Sequence, residues 1–189
     1  MLRAERATTL VNFVLFQAGW FTCVLGAAAG HPLPAAAAGL VPVALHLALV
    51  RQPRREAQLL LASLLLGLCI DSVHLHTGAL RFADAGPFPL LPPFWLLVLW
   101  LQFATSLHYA LAWLSGRPLV ALVFGAIGGP LAYWAGVRLG AAGFGPDLGR
   151  SLVQIGIGWA LAMVVLLAAS TRTAPGADQR TYRFSPDRG

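Results

Sequence analysis

Six apolar runs divide the chain and constrain its fold more than any other feature. They lie at about 7–28, 35–51, 57–78, 92–115, 118–140 and 148–170. All but the second reach the roughly 20 residues that a helix needs to cross a bilayer. The second is shorter and contains Pro42, so a kinked or partly inserted segment is expected there. Short connections rich in Pro and Gly (HPLP, RQPRRE, RFADAGPFPLLPP, SGRP, AAGFGPD) break the runs apart. In lipid only a helix or a closed barrel satisfies its own backbone groups. Runs of this length therefore predict an all-α fold: a polytopic membrane helix bundle of about six transmembrane helices over residues 1–170. From 171 to 189 the chain turns polar and contains Pro, which predicts a mobile cytoplasmic tail.

Composition agrees. Charged residues make up 11% of the 189 and hydrophobic ones 58%, with a mean hydropathy of +0.72. A soluble domain carries about 25% charged residues. All 13 basic residues are Arg. Together with abundant Ala, Leu and Gly, this is the bias of a GC-rich bacterial genome. The net charge of +6 does not point to nucleic acid, because the arginines cluster at the ends of apolar runs and form no stripe on one face. Counted on alternate sides of the six runs, ten arginines fall with the two termini and three fall opposite. The positive-inside rule then predicts a multi-pass protein of a bacterial inner membrane, with both termini cytoplasmic. The first run, at about 20 residues, exceeds the 7–15 of a signal-peptide core and is read as a span.

Polar residues inside the runs are the candidates for function, because an ionisable group in a span is costly. At 100° per residue, Ser63, Gly67, Asp71, His74 and Gly78 share one stripe of the third run, while His76 faces the opposite way. Asp71 and His74, three residues apart, are in reach of each other and are the best candidates for an acid–base pair. Similar stripes carry Thr8, Asn12 and Gly19 in the first run, Gln102 in the fourth, and Gln154 and Gly158 in the sixth. At 1.5 Å per residue, Trp20, Asp71, Gln102, Tyr133 and Gln154 lie about 20–24 Å from the cytoplasmic ends. The expected site is thus a polar pocket in the periplasmic half, lined by Gln17, Trp20, Asp71, His74, Gln102, Tyr133 and Gln154. Gln17 lies off its helix's polar stripe.

His46 and His108 lie lower, at about 8 and 11 Å, and form a separate pair with the spacing of a haem-ligand alternative. No cofactor and no metal site is expected, since Asp71 and His74 do not share a face with His76. Cys23 and Cys69 read as small buried hydrophobes. The fifth run carries a small-residue face with two GxxxG spacings, Gly125/Gly129 and Gly136/Gly140. Such a face lets helices approach closely, either within the bundle or toward a partner protein. No nucleophile elbow, Walker loop, HExxH or CxxC motif is present, so no enzymatic activity is assigned.

The stretches NFVLFQAGWFTCVLGAA, PPFWLLVLWLQFATSLHYALAWL and GAIGGPLAYWAGVRLGA, with Asp71 in its span, resemble the domain of unknown function 2878 family of small bacterial membrane proteins. The resemblance covers residues 9–170 and implies an inner-membrane protein. It brings no catalytic residues, and it favours a lipid-related role. Three functions are therefore set against the structure. The first is binding of, or action on, a lipid-like or amphiphilic ligand in the polar pocket. The others are a small proton-coupled carrier and a non-catalytic partner subunit of a membrane complex.

Overall fold

Proline starts three of the helices. Pro32, Pro53 and Pro118 each stand at the first helical position, where the missing N–H costs nothing and φ is already helical. The computed structural model describes residues 2–50, 52–82 and 88–173, with the side chains of residues 2–6 excepted. The expected tail from 174 onward lies outside the described residues. The elements are α1 (Leu2–Ala28), α2 (Pro32–Leu49), α3 (Pro53–His76), β1 (Leu80–Arg81), α4 (Phe94–Thr105), α5 (Pro118–Arg138), β2 (Gly143–Phe144) and α6 (Leu148–Thr173). Five of the helices are long and apolar enough to cross a membrane. Among them is α2, which runs through Pro42 over 18 residues.

The fourth run departs from the expected continuous helix over 92–115. Its helix ends at Thr105 after 12 residues, and the chain continues as tight turns into a single 3₁₀ turn at Ala112–Leu114. The cause is local. The Thr105 hydroxyl donates to Gln102 O at 2.7 Å and the Ser106 hydroxyl to Phe103 O at 2.6 Å, so side chains occupy carbonyls at the helix end. The turns keep their own backbone bonds, with Leu111 N donating to Ser106 O and Leu114 N to Leu111 O.

Short connections force α1, α2 and α3 to alternate in direction, and likewise α5 and α6. β1 pairs antiparallel with β2, Leu80 opposite Phe144 and Arg81 opposite Gly143. This two-residue ladder ties the link after α3 to the link between α5 and α6, so those ends lie together. The start of α1 and the end of α6 therefore share the opposite end of the bundle. α4 is the central helix: it packs against α1, α2 and α3, and eight of its 12 residues are buried. α5 packs chiefly on α6.

The glycine face of α5 explains that pairing. A Cβ on Gly125 would run into the Trp159 carbonyl, and one on Gly129 into the Trp159 ring. From the other side, a Cβ on Gly156 of α6 would lie 3.0 Å from Ala126 O. Small residues thus bring the two backbones together. The candidate partner surface is accordingly split. Gly125 and Gly129 pack inside the chain, Gly136 has open space beside it, and Gly140 lies past the helix end with φ +91°.

Candidate functional site

The α3 stripe read from the sequence is buried along its whole length: Glu56, Leu59, Leu60, Ser63, Gly67, Asp71 and His74 all face inward. Three of these residues, four apart, hold one residue of α4. The Ser63 hydroxyl donates to the Trp100 carbonyl at 2.8 Å. Gly67 leaves room for the Trp100 ring, which a Cβ there would strike. Asp71 Oδ2 accepts the Trp100 indole N–H at 2.7 Å. The second oxygen, Oδ1, accepts the Tyr133 hydroxyl of α5 at 2.5 Å. Asp71 is fully buried and joins three helices. Trp159 of α6 stacks on Trp100 with ring centroids 4.4 Å apart.

His74 is not the partner of Asp71. It belongs to a second group with Gln154 and Thr77. Thr77 donates its one hydroxyl proton to Val73 O at 2.7 Å, so its oxygen accepts, and the Gln154 amide nitrogen faces it at 2.7 Å. The same nitrogen lies 3.1 Å from His74 Nδ1, which must then be the acceptor. That puts the ring proton on Nε2, which is buried over Gly158 without an acceptor. The sequence pairs Asp71 with His74, whereas in the structure the two belong to different hydrogen-bonded groups.

Gln102 is a third separate element. Its amide nitrogen donates to Gly39 O at 2.7 Å and lies 3.7 Å from Cys23 Sγ. Pro42 lacks the N–H that would serve Ala38 O one turn earlier in α2, and Gln102 donates to the next carbonyl along, that of Gly39. Gln17 is half-buried on α1. Cys23 is buried, whereas Cys69 is exposed on the outer face of α3, contrary to the expectation that both are enclosed. His76 is exposed, as its side of the helix requires.

In front of the Asp71–Trp100–Tyr133 group lies a cavity of about 210 Å³, open on one side between α1 and α4 on one wall and α5 and α6 on the other. Aromatic side chains dominate its lining, among them Phe16, Trp20, Trp95, Trp100, Tyr133 and Trp159, and Gly128 and Gly136 form its smooth wall. The Tyr133 hydroxyl commits its proton to Asp71, and the indole N–H groups of Trp159 and Trp100 stand near its oxygen. The expected polar pocket is therefore an apolar one.

At the end of the bundle that holds the termini, the sequence missed an acidic residue. Glu56 was read as part of a loop but is buried in the first turn of α3. Its Oε2 meets His46 Nε2 at 3.2 Å and its Oε1 meets His108 Nδ1 at 2.7 Å. His108 Nε2 lies 2.9 Å from Ser170 O. The two histidines of the haem-ligand alternative thus converge on a carboxylate, and His108 has both ring nitrogens engaged. The signal for Glu56 was its register, seven residues before Ser63 on the Asp71 stripe. Among the described residues no group of three or more His, Cys, Asp or Glu is arranged to hold a metal ion.

No curated protein and no solved structure matches the chain. Residues 9–165 match the family described as "Protein of unknown function (DUF2878)". The match spans most of the chain and all six helices, so the protein belongs to the DUF2878 family.

Proposed function

We propose that the protein is a six-pass protein of a bacterial inner membrane, with both termini cytoplasmic, that holds the hydrocarbon part of an amphiphilic ligand. The hydrocarbon would lie in the groove between α1/α4 and α5/α6, with the polar head toward its open side. The distribution of arginine supports the topology. The observation that carries the ligand reading is the groove itself: about 210 Å³, aromatic on one wall and glycine on the other. Ligand sites commonly have this composition, mostly apolar with few placed polar groups. A proton-coupled carrier would need Asp71 to exchange protons with water. Its carboxylate oxygens are taken by Trp100 and Tyr133, which favours a holding role.

The test is mass spectrometry of lipids that copurify with the protein in mild detergent, compared between wild type and Gly136→Leu. No atom lies within 4 Å of a Cβ at Gly136, so the new side chain fills the groove without a clash. Loss of a specific copurifying lipid at unchanged thermal stability is expected. Identical lipid content in the two proteins refutes the reading.

A further inference from the structure

The Glu56 cluster makes one contact more than its own hydrogens can fill. His46 Nε2 meets Glu56 Oε2 at 3.2 Å, His108 Nδ1 meets Glu56 Oε1 at 2.7 Å, and His108 Nε2 meets Ser170 O at 2.9 Å. Each contact needs a hydrogen between its two atoms. Ser170 O is a carbonyl and Glu56 an ionised carboxylate, so neither brings one. A neutral imidazole brings one. His46 spends its hydrogen on Oε2, and His108 has to close two contacts. We propose that His108 is a proton-binding site: it takes up one proton, becomes an imidazolium, and so latches the last turn of α6 to the first turn of α3.

The surroundings favour the ionised pair. Glu56 stands in the first turn of α3, at the positive end of that helix dipole, and also accepts from His46. His46 is in the last turn of α2, Ser170 is in the last turn of α6, and His108 lies just past the end of α4 at Thr105. The negative ends of three helices therefore gather near the cation. Among the described side chains, the other ionisable groups at this end are Tyr109, whose ring meets His46 edge-on at 5.6 Å, Arg54 and Arg55 beside Glu56, Arg117 before α5, and Arg172 after Ser170. None of them changes charge near neutral pH.

The unfolded chain has no such cluster, and a free imidazole is about nine-tenths neutral at pH 7.5. The folded chain thus holds a proton that unfolding releases. Its contribution to stability is present at lower pH and is lost as pH rises. In the proposed topology this end faces the cytoplasm, so the latch answers cytoplasmic pH.

Glu56→Gln tests the count, because its amide carries the missing hydrogen covalently. The amide oxygen accepts from His46, the amide nitrogen donates to His108 Nδ1, and neutral His108 donates to Ser170 O. All three contacts then close without an added proton. The experiment compares equilibrium unfolding of the full chain in mixed micelles between about pH 7 and 8. The folded-to-unfolded ratio of the wild type should fall by up to about tenfold per pH unit, and that of Glu56→Gln should fall less, by the share of this one proton. Groups outside the cluster act alike in both proteins and cancel in the comparison. Nitrogen NMR of wild-type protein labelled with ¹⁵N-histidine needs no variant: at pH 7.5 one of the five histidines should carry hydrogen on both ring nitrogens. Parallel pH dependence of the two proteins, or an unprotonated ring nitrogen on all five histidines, overturns the proposal.

Discussion

Replacing Asp71 separates the shape of the buried carboxylate from its hydrogen bonds. Asp71→Leu keeps the branched shape, at a larger volume, but leaves two donors, the Trp100 indole N–H and the Tyr133 hydroxyl, without acceptors in the core. An unsatisfied buried donor costs about 1–3 kcal/mol, so the variant should lose about 2–6 kcal/mol. The Tyr133 hydroxyl can rotate toward the groove, which places the expected loss nearer the lower figure. Asp71→Asn should lose about 1 kcal/mol or less. Its oxygen still accepts from Trp100, and its amide nitrogen can donate to the Tyr133 oxygen once the hydroxyl turns. Hydrogen bonds between membrane helices average about 0.6 kcal/mol and reach about 1.7, so Tyr133→Phe alone should cost within that range. Asp71→Leu made in the Tyr133→Phe background should then cost less than in the wild type, with a coupling energy of about 0.5–2 kcal/mol. Equilibrium unfolding in mixed micelles, followed by tryptophan fluorescence, gives all four corners of the cycle. Equal losses for Leu and Asn, or strict additivity in the cycle, would show that the two bonds contribute nothing to holding the three helices.

Three other outcomes are expected. Gly67→Ala should destabilise by about 1–3 kcal/mol, because its Cβ meets the Trp100 ring in a filled core, while Gly136→Ala should stabilise by about 0.5–1 kcal/mol through helix propensity alone; thermal melts of the two should move in opposite directions. Glu56→Leu leaves His46 and His108 without their shared carboxylate and should cost about 3–5 kcal/mol, with Glu56→Gln milder; a melt within experimental error of wild type for both would mean that the cluster is idle. A green fluorescent protein fused to the carboxyl terminus should fluoresce and an alkaline phosphatase fusion there should be inactive, and the reverse pattern inverts the topology.

Much of this was legible in the chain because a helix maps sequence onto angle and height. The inward stripe of α3, the outward turn of His76 and the close-packing glycines of α5 all follow from 100° per residue and 1.5 Å per residue. Neighbours do not follow from these quantities. Asp71, Gln102 and Gln154 stand at similar heights, yet they belong to three different hydrogen-bonded groups, because height says nothing of which helix stands beside which. Nothing in the local sequence around Trp100 reveals that its N–H points at a carboxylate. Glu56 was obscured by Arg54 and Arg55 beside it, which give the segment the look of a loop although it is the first turn of a helix. The break at Thr105 came from two hydroxyls competing for carbonyls, and hydropathy does not register that effect.

The brevity of α4 bears on how the protein is made. Twelve helical residues extend about 18 Å, against about 30 Å of hydrocarbon. In the proposed six-pass topology the turns after it complete the crossing, and non-helical backbone at that depth is tolerated only where protein covers it. Insertion of the fourth segment is thereby tied to the helices around it, including α6, whose Trp159 stacks on Trp100 and whose Ser170 carbonyl meets His108. A ribosome that has delivered only the first four segments has not yet supplied those contacts. In that topology, truncation before α6 should leave the fourth segment less well inserted.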